Sequence, residues 1–212
     1  MSGPKRSRSR RWRSLLLAVL VAVLVAGIVA FGFYWGWPRP ISSRGGLYFP
    51  VRVELRVPSF AQGDPRWKNQ RLGATADSLH AAGCAVSSAA MVLASYGIDT
   101  DPGRLNAFLT KNDGYTPEGW LCWEKAAEIT PGRVEKAYEA PPSFARIDWN
   151  LALGNPVIIR IRLPHTNHFV VIAGKDGWDY LIRDPAAAGR GMYPLREISR
   201  SIEALRYYRR LR

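Results

Sequence analysis

Ala81-Ala-Gly-Cys84-Ala-Val-Ser-Ser-Ala-Ala-Met-Val-Leu-Ala-Ser-Tyr-Gly97 decides how this chain is read. Val86, Ala89, Ala90, Leu93 and Tyr96 recur at helical spacing, so the stretch predicts a helix from Cys84 to Tyr96 that stops at Gly97. Its small residues predict close packing at the centre of a domain. Cys84 opens the helix. A thiol there faces the positive end of the helix dipole and the unpaired N–H groups of the first turn. That setting favours a thiolate nucleophile and offers donors to an oxyanion. An isolated cysteine is more often a small core residue, so the rest of the sequence has to supply a base and an acid.

Two strand-like runs supply them. His168 opens HFVVIAG (168–174), and Asp184 closes YLIRDP (180–185). Lys175-Asp176-Gly177 lies between them and carries the Asp-Gly turn signal, so the runs read as a hairpin with His168 and Asp184 at its open end. His168 is then the base toward Cys84 and the acid toward a leaving group, and Asp184 orients the ring. Asp176 and Asp179 fall at the turn end and suit that role less well. The bland alternatives are an Asp-Pro turn at 184–185 and, for His165, a surface loop residue. His80, near Cys84 in sequence, is the reserve base. His165 with His168 raises a metal site, but no further Cys or carboxylate ligand stands nearby, so neither metal nor cofactor is expected.

Gln62, in the loop VPSFAQGDPRW (57–67), is the candidate side-chain donor to an oxyanion. Asp64, Pro65, Arg66 and Trp67 follow and could lock that loop. Further helices are expected from Asp101-Pro102 toward Lys111, from Thr116-Pro117 to near Thr130, and over Ile147–Leu153. Strands are expected over Leu47–Val57 and Val157–Leu163. Helices first and antiparallel strands second make an α+β pattern. Trp120 and Trp123 read as core or as the wall of a peptide groove.

Taken together, VPSFAQGDPRW, GCAVSSAAMVLASYG, LGNPVIIRI, HFVVIAG and YLIRDP resemble the bacterial papain-like cysteine peptidases related to the double-glycine leader peptidases of bacteriocin exporters. The resemblance covers roughly residues 57–184. It implies a papain-like fold with a nucleophile helix packed on an antiparallel sheet. By this resemblance Cys84 matches the nucleophile, His168 the base, Asp184 the orienting acid and Gln62 the oxyanion donor. In the exporter peptidases that Gln stands only a few residues before the nucleophile, whereas the gap here is longer. No ATP-binding cassette appears in this sequence, so leader removal coupled to export is not implied. The family also resembles phytochelatin synthase, which keeps acyl transfer open. The expected activity is thiol hydrolysis of a peptide or isopeptide bond in a peptide or protein substrate. Acyl transfer on the same residues and a peptide-binding module without turnover are the alternatives.

The N-terminal part reads differently. Leu15 to Trp35 is apolar and uncharged, and a bilayer span takes roughly 20 such residues. Phe31, Phe33, Tyr34, Trp35 and Trp37 suit an interfacial belt. The expectation is a basic cytoplasmic tail (1–14), a transmembrane signal anchor (15–37), a linker (38–46) and a papain-like domain (47–212). A cleavable signal peptide is the rival reading. Lys5, Arg6, Arg8, Arg10, Arg11 and Arg13 precede the apolar run, so the positive-inside rule puts the N-terminus in the cytoplasm and the domain outside it. The net charge is +13. Six of those charges lie in the tail, which leaves +7 for the remainder. No basic stripe with interleaved aromatics marks a nucleic-acid binder. The expected partners are the substrate and membrane lipid. Arg206, Arg209, Arg210 and Arg212 form a second basic cluster, read as an edge strand or frayed end. Cys84 and Cys122 are the only thiols. An oxidising compartment makes a disulfide between them a competitor, and two free cysteines are the expectation.

Overall fold

A computed structural model of the protein describes residues 6–36 and 39–211, and of residues 6–11, 14 and 29–36 the backbone alone. The chain divides into two units, Met1–Pro38 and Arg39–Arg212. In the first, α1 (Arg6–Gly36) is one continuous 31-residue helix. Helix thus starts inside the segment read as a basic tail, whose residues 1–5 lie outside the described residues. Among the described residues no helix is long and apolar enough to cross a membrane, so the expected span over 15–37 is not found there. Part of that span, the side chains of residues 29–37, lies outside the described residues.

The second unit opens with β1 (Ile41–Ser42) and β2 (Arg44–Glu54), where a linker was expected to run to residue 46. Four helices follow: α2 (Leu79–Ala82), α3 (Cys84–Ser95), α4 (Pro102–Lys111) and α5 (Trp123–Ala127). Asp101 caps α4 by accepting from the Arg104 N–H at 2.9 Å, with Pro102 in the first turn, as the sequence predicts. The helix expected from Thr116 does not form before Trp123. Thr116 instead accepts from the Trp120 N–H at 3.2 Å and closes a turn, and Tyr115 bridges to Leu121. The same cap chemistry served a loop.

Next come β3 (Val134–Ala140), α6 (Phe144–Ala152), β4 (Val157–Leu163), β5 (Thr166–Arg183), β6 (Tyr193–Pro194), β7 (Ser201–Ile202) and β8 (Ala204–Arg210). The main sheet is antiparallel, in the order β2-β5-β4-β8-β3, with β6 added to β5. The C-terminal basic segment is therefore an inner strand between β4 and β3, not a frayed end. Arg206 in it is buried.

The extended state of β5 runs unbroken for 18 residues. A straight strand would separate His168 from Asp184 by about 50 Å. Their side chains touch, so the chain doubles back between them. Gly177, at φ 55°, supplies the left-handed residue such a reversal needs. β2 pairs with this tip through Phe49↔Gly177, Val53↔Lys175 and Glu54↔Gly174, with register shifts where it bends.

One core lies between the helices and one face of the sheet. It joins Val86, Ala89, Ala90 and Leu93 of α3 to Ile158 of β4 and Val171 and Ala173 of β5. A second, around Ile147, Ile159, Ile172 and Tyr180, fills the other face. Two hydroxyls fix α3 to the sheet. Ser88 donates to the Phe169 carbonyl at 3.1 Å, and Tyr96 donates to the Tyr208 carbonyl at 3.0 Å.

Candidate active site

Cys84 stands at the first position of α3, directly after Gly83. That position admits no larger residue, because a Cβ on Gly83 would collide with the Leu79 carbonyl oxygen of α2. No side chain caps α3, which leaves its first-turn N–H groups for another acceptor. The thiol is half-buried and free, as is that of Cys122, so the two cysteines are not bridged. Cys122 is half-buried rather than enclosed, and its N–H donates to the Gly114 carbonyl.

His168 and Asp184 meet at the open end of the β5 reversal. Nε2 of His168 lies 2.7 Å from Oδ1 of Asp184, and both residues are buried, at 7% and 5% exposure. Engagement of Nε2 leaves Nδ1 as the ring nitrogen available to Cys84. Burial by itself lowers the His168 pKa. Hydrogen bonds to Asp184 and to the Cys84 side chain, with the charge on both, override it and raise the value from 6.5 to about 9. Burial pushes the Asp184 pKa up, but the His168 hydrogen bond and charge outweigh it, with smaller help from Tyr193 and the Ala186 N–H, and hold the carboxyl below its ordinary value.

Two of these partners escaped the sequence reading. Tyr193 donates its hydroxyl to Asp184 Oδ2 at 2.7 Å, and the Ala186 N–H donates to Oδ1 at 2.8 Å. The Ala186 contact was legible as the turn that Asp184-Pro185 starts. Tyr193 had no local signal, because β6 reaches it only through pairing with Leu181 and Ile182.

Gln62 sits where two strings of the site converge. Its N–H donates to the Pro185 carbonyl at 3.0 Å, one residue past Asp184. Its side-chain Nε2 donates to the His80 carbonyl at 2.7 Å, four residues before Cys84. The amide group is thereby turned to α2, and its Oε1 is buried without a partner. The loop is locked as its composition predicts. Arg66 grips Asp64 at 2.8 Å, and the Trp67 indole donates to the Ala61 carbonyl at 2.8 Å. His80 is exposed and contributes its backbone here. His165 is exposed in the turn between β4 and β5. Among the described residues no group of His, Cys, Asp and Glu could hold a metal ion. Trp123 is core at 5% exposure, whereas Trp120 is 71% exposed.

A family model for the Peptidase_C39 like family matches residues 54–211, nearly the whole second unit. The chain belongs to that family. A solved crystal structure of a protein assigned as a C39-like peptidase from Bacillus anthracis has the same fold. It aligns with a TM-score of 0.51 and 19% identity, over 76% of this chain and 100% of that one. No curated protein sequence matches the chain significantly. The mixed helix and antiparallel-sheet fold is therefore that of a C39-like peptidase, and the chain is a cysteine peptidase-like protein.

Proposed function

We propose that this protein is a membrane-anchored thiol hydrolase that cleaves a peptide or isopeptide bond. Cys84 attacks the carbonyl, and His168, oriented by Asp184, carries the proton to the leaving amine. Water, activated by the same ring, then releases the acyl group from the sulfur. The observation that carries this reading is the buried His168–Asp184 contact of 2.7 Å, with Cys84 as the ring's other partner. An imidazole held protonated between a thiol and a carboxylate is ready to stabilise a thiolate before attack. First-turn N–H groups of α3 are the nearest oxyanion donors, and the Gln62 amide joins them only if it turns from the His80 carbonyl.

The anchor rests on the sequence, which is apolar and uncharged from Leu15 to Trp35. Every large apolar side chain from Leu15 to Ile28 is more than half exposed, on all sides of the helix. A helix apolar all round is one that another apolar phase covers. The basic residues before that run favour, by the positive-inside rule, a domain outside the cytoplasm.

Labelling with iodoacetamide tests the chemistry. Rapid alkylation of Cys84 relative to Cys122, lost in His168→Ala, is the expected result. Equal slow alkylation of both thiols contradicts it and favours a binding module. Peptides that accumulate in cells carrying Cys84→Ala identify the substrate, and amide products formed with added amines would mark acyl transfer. Carbonate extraction of membranes tests the anchor: retention in the pellet is expected, and release into the supernatant contradicts it.

A further inference from the structure

Beside the reacting centre, the face of the sheet under α3 and α5 carries two arginines that the proposed chemistry does not use. Arg160 on β4 is paired with Phe169 on one side and Ala204 on the other, and Arg206 is paired with Ile158. Both side chains therefore lie on the face that Phe169 occupies. Arg206 is 8% exposed. Its guanidinium lies 4.8 Å from the Trp123 ring and 5.0 Å from the Phe169 ring, which fix its plane.

These guanidiniums are incompletely satisfied. Arg206 Nε reaches Glu139 at 3.2 Å, but its Nη1 is buried with no partner. Arg160 is half-buried, and its Nε is likewise buried without a partner. Glu139 is shared with Lys136, which also holds Glu124, so Arg206 has only a share of one carboxylate. Burial lowers the Arg206 pKa, Glu139 counters that, and Arg160 adds to the lowering. Buried positive charge with unmet N–H groups is unfavourable, and an incoming carboxylate relieves it with two oxygens. The place adjoins the nucleophile helix, on the face of β5 opposite the His168 side chain, because successive strand residues alternate. Phe169 follows His168, and its carbonyl accepts from Ser88, one turn beyond Cys84 on α3.

We propose that Arg160 and Arg206 form a subsite that takes a carboxylate of the peptide substrate close to the scissile bond. The carboxylate comes from an Asp or Glu side chain or from a free C-terminus. The proposal rests on the reading of Cys84 as a peptidase nucleophile. It makes the enzyme selective for acidic sequences.

Two measurements on the full-length protein in detergent test it. In the first, capped peptidyl vinyl sulfones that differ only by Asp or Asn at one position ahead of the electrophile are reacted with Cys84, and modification is read by mass spectrometry. Asp is expected to react about tenfold or more faster at its preferred position, within the range for a charge-assisted hydrogen bond. The ratio should shrink with salt, collapse in Arg160→Gln and survive in part in Arg206→Lys. In the second, binding to Cys84→Ala is measured by calorimetry with peptides carrying an internal Asp, or a free or amidated C-terminus. The arm that loses affinity on neutralisation names the source of the carboxylate. Equal treatment of acidic and neutral peptides in both measurements overturns the subsite, leaving water as the partner of those N–H groups. So does a preference that persists in Arg160→Gln. Retained carboxylate binding with no probe reaching Cys84 sinks the peptidase reading instead and leaves the subsite standing.

Discussion

Two buried acid–base couples lie along β5, and they solve the same electrostatic problem in opposite ways. At the tip, Lys175 is wholly buried and closed on every side. Its ammonium reaches Asp148 at 2.5 Å, the Gly45 carbonyl at 2.8 Å and the Tyr180 hydroxyl at 3.4 Å. Asp148 is filled by the Leu47 N–H and the Tyr180 hydroxyl as well. At the open end, His168 spends one nitrogen on Asp184 and keeps the other for a further partner. Burial wins at Lys175, whose pKa is lowered despite Asp148. At His168 the partners win, and the value rises. A couple whose donors are all consumed pins β2 and α6 to the sheet. A couple with one nitrogen left over can do chemistry.

The comparison is broken hardest at the open end. His168→Ala should cut Cys84-dependent turnover by about 10³-fold or more, the scale seen when one member of a nucleophile–base pair is removed, with a loss of stability at neutral pH of up to about 3 kcal/mol, the contribution of the charged ring to folding. Kinetics and a melting curve on one preparation check both halves. At the tip the loss should fall on stability alone. Lys175→Met leaves Asp148 buried and unpaired, which costs about 3–5 kcal/mol of stability, read as a lower urea midpoint. Cys84 alkylation by the folded fraction should persist. A loss of alkylation without loss of stability would mean that the tip is coupled to the site.

The pH dependence sharpens the contrast. His168 has a folded pKa of about 9 against 6.5 in the unfolded chain. Its contribution to stability is therefore fully present below pH 6.5 and lost as pH rises through 9. The loss is at most about 3 kcal/mol, visible as a urea midpoint that falls over that window and does not fall in His168→Gln. Asp184, with a lowered pKa, works the other way, and its contribution disappears as pH falls through its folded value. The His168 ring-proton resonance should titrate near 9, and Asp184→Asn should move that midpoint down.

How much of this was legible depended on the distance over which each contact is specified. The Cys84 helix, its Gly97 stop and the Asp101 cap rest on neighbours within one or two turns, and the sequence pattern places them. The His168–Asp184 meeting was also readable, because an Asp-Gly turn midway between two apolar runs brings their far ends together. Lys175 was read as a turn residue and is core. Nothing local tells a lysine that Asp148, 27 residues earlier, lies beneath it. Arg206 was read as part of a basic edge, since strand order decides burial and β8 falls between β4 and β3 only when the sheet is assembled. Thr116-Pro117 carried the same signal as Asp101-Pro102 and made a loop. A cap permits a helix, and only packing of the next turns requires one.

The finest test concerns Tyr193, the partner that no pattern disclosed. Its hydroxyl gives Asp184 Oδ2 a donor at 2.7 Å, while Oδ1 accepts from His168 and Ala186. Tyr193→Phe removes one of three donors and keeps the ring that packs beneath Arg190 at 3.9 Å. The carboxylate is then less well held in its charged form, so its grip on the protonated imidazole weakens. The expected outcome is a several-fold drop in turnover, from about 1–2 kcal/mol for one unsatisfied buried acceptor, together with a His168 midpoint slightly below 9. A change of turnover with an unmoved midpoint would assign Tyr193 to packing alone. Against Asp184→Asn the two effects should not add, since both act through the same two oxygens.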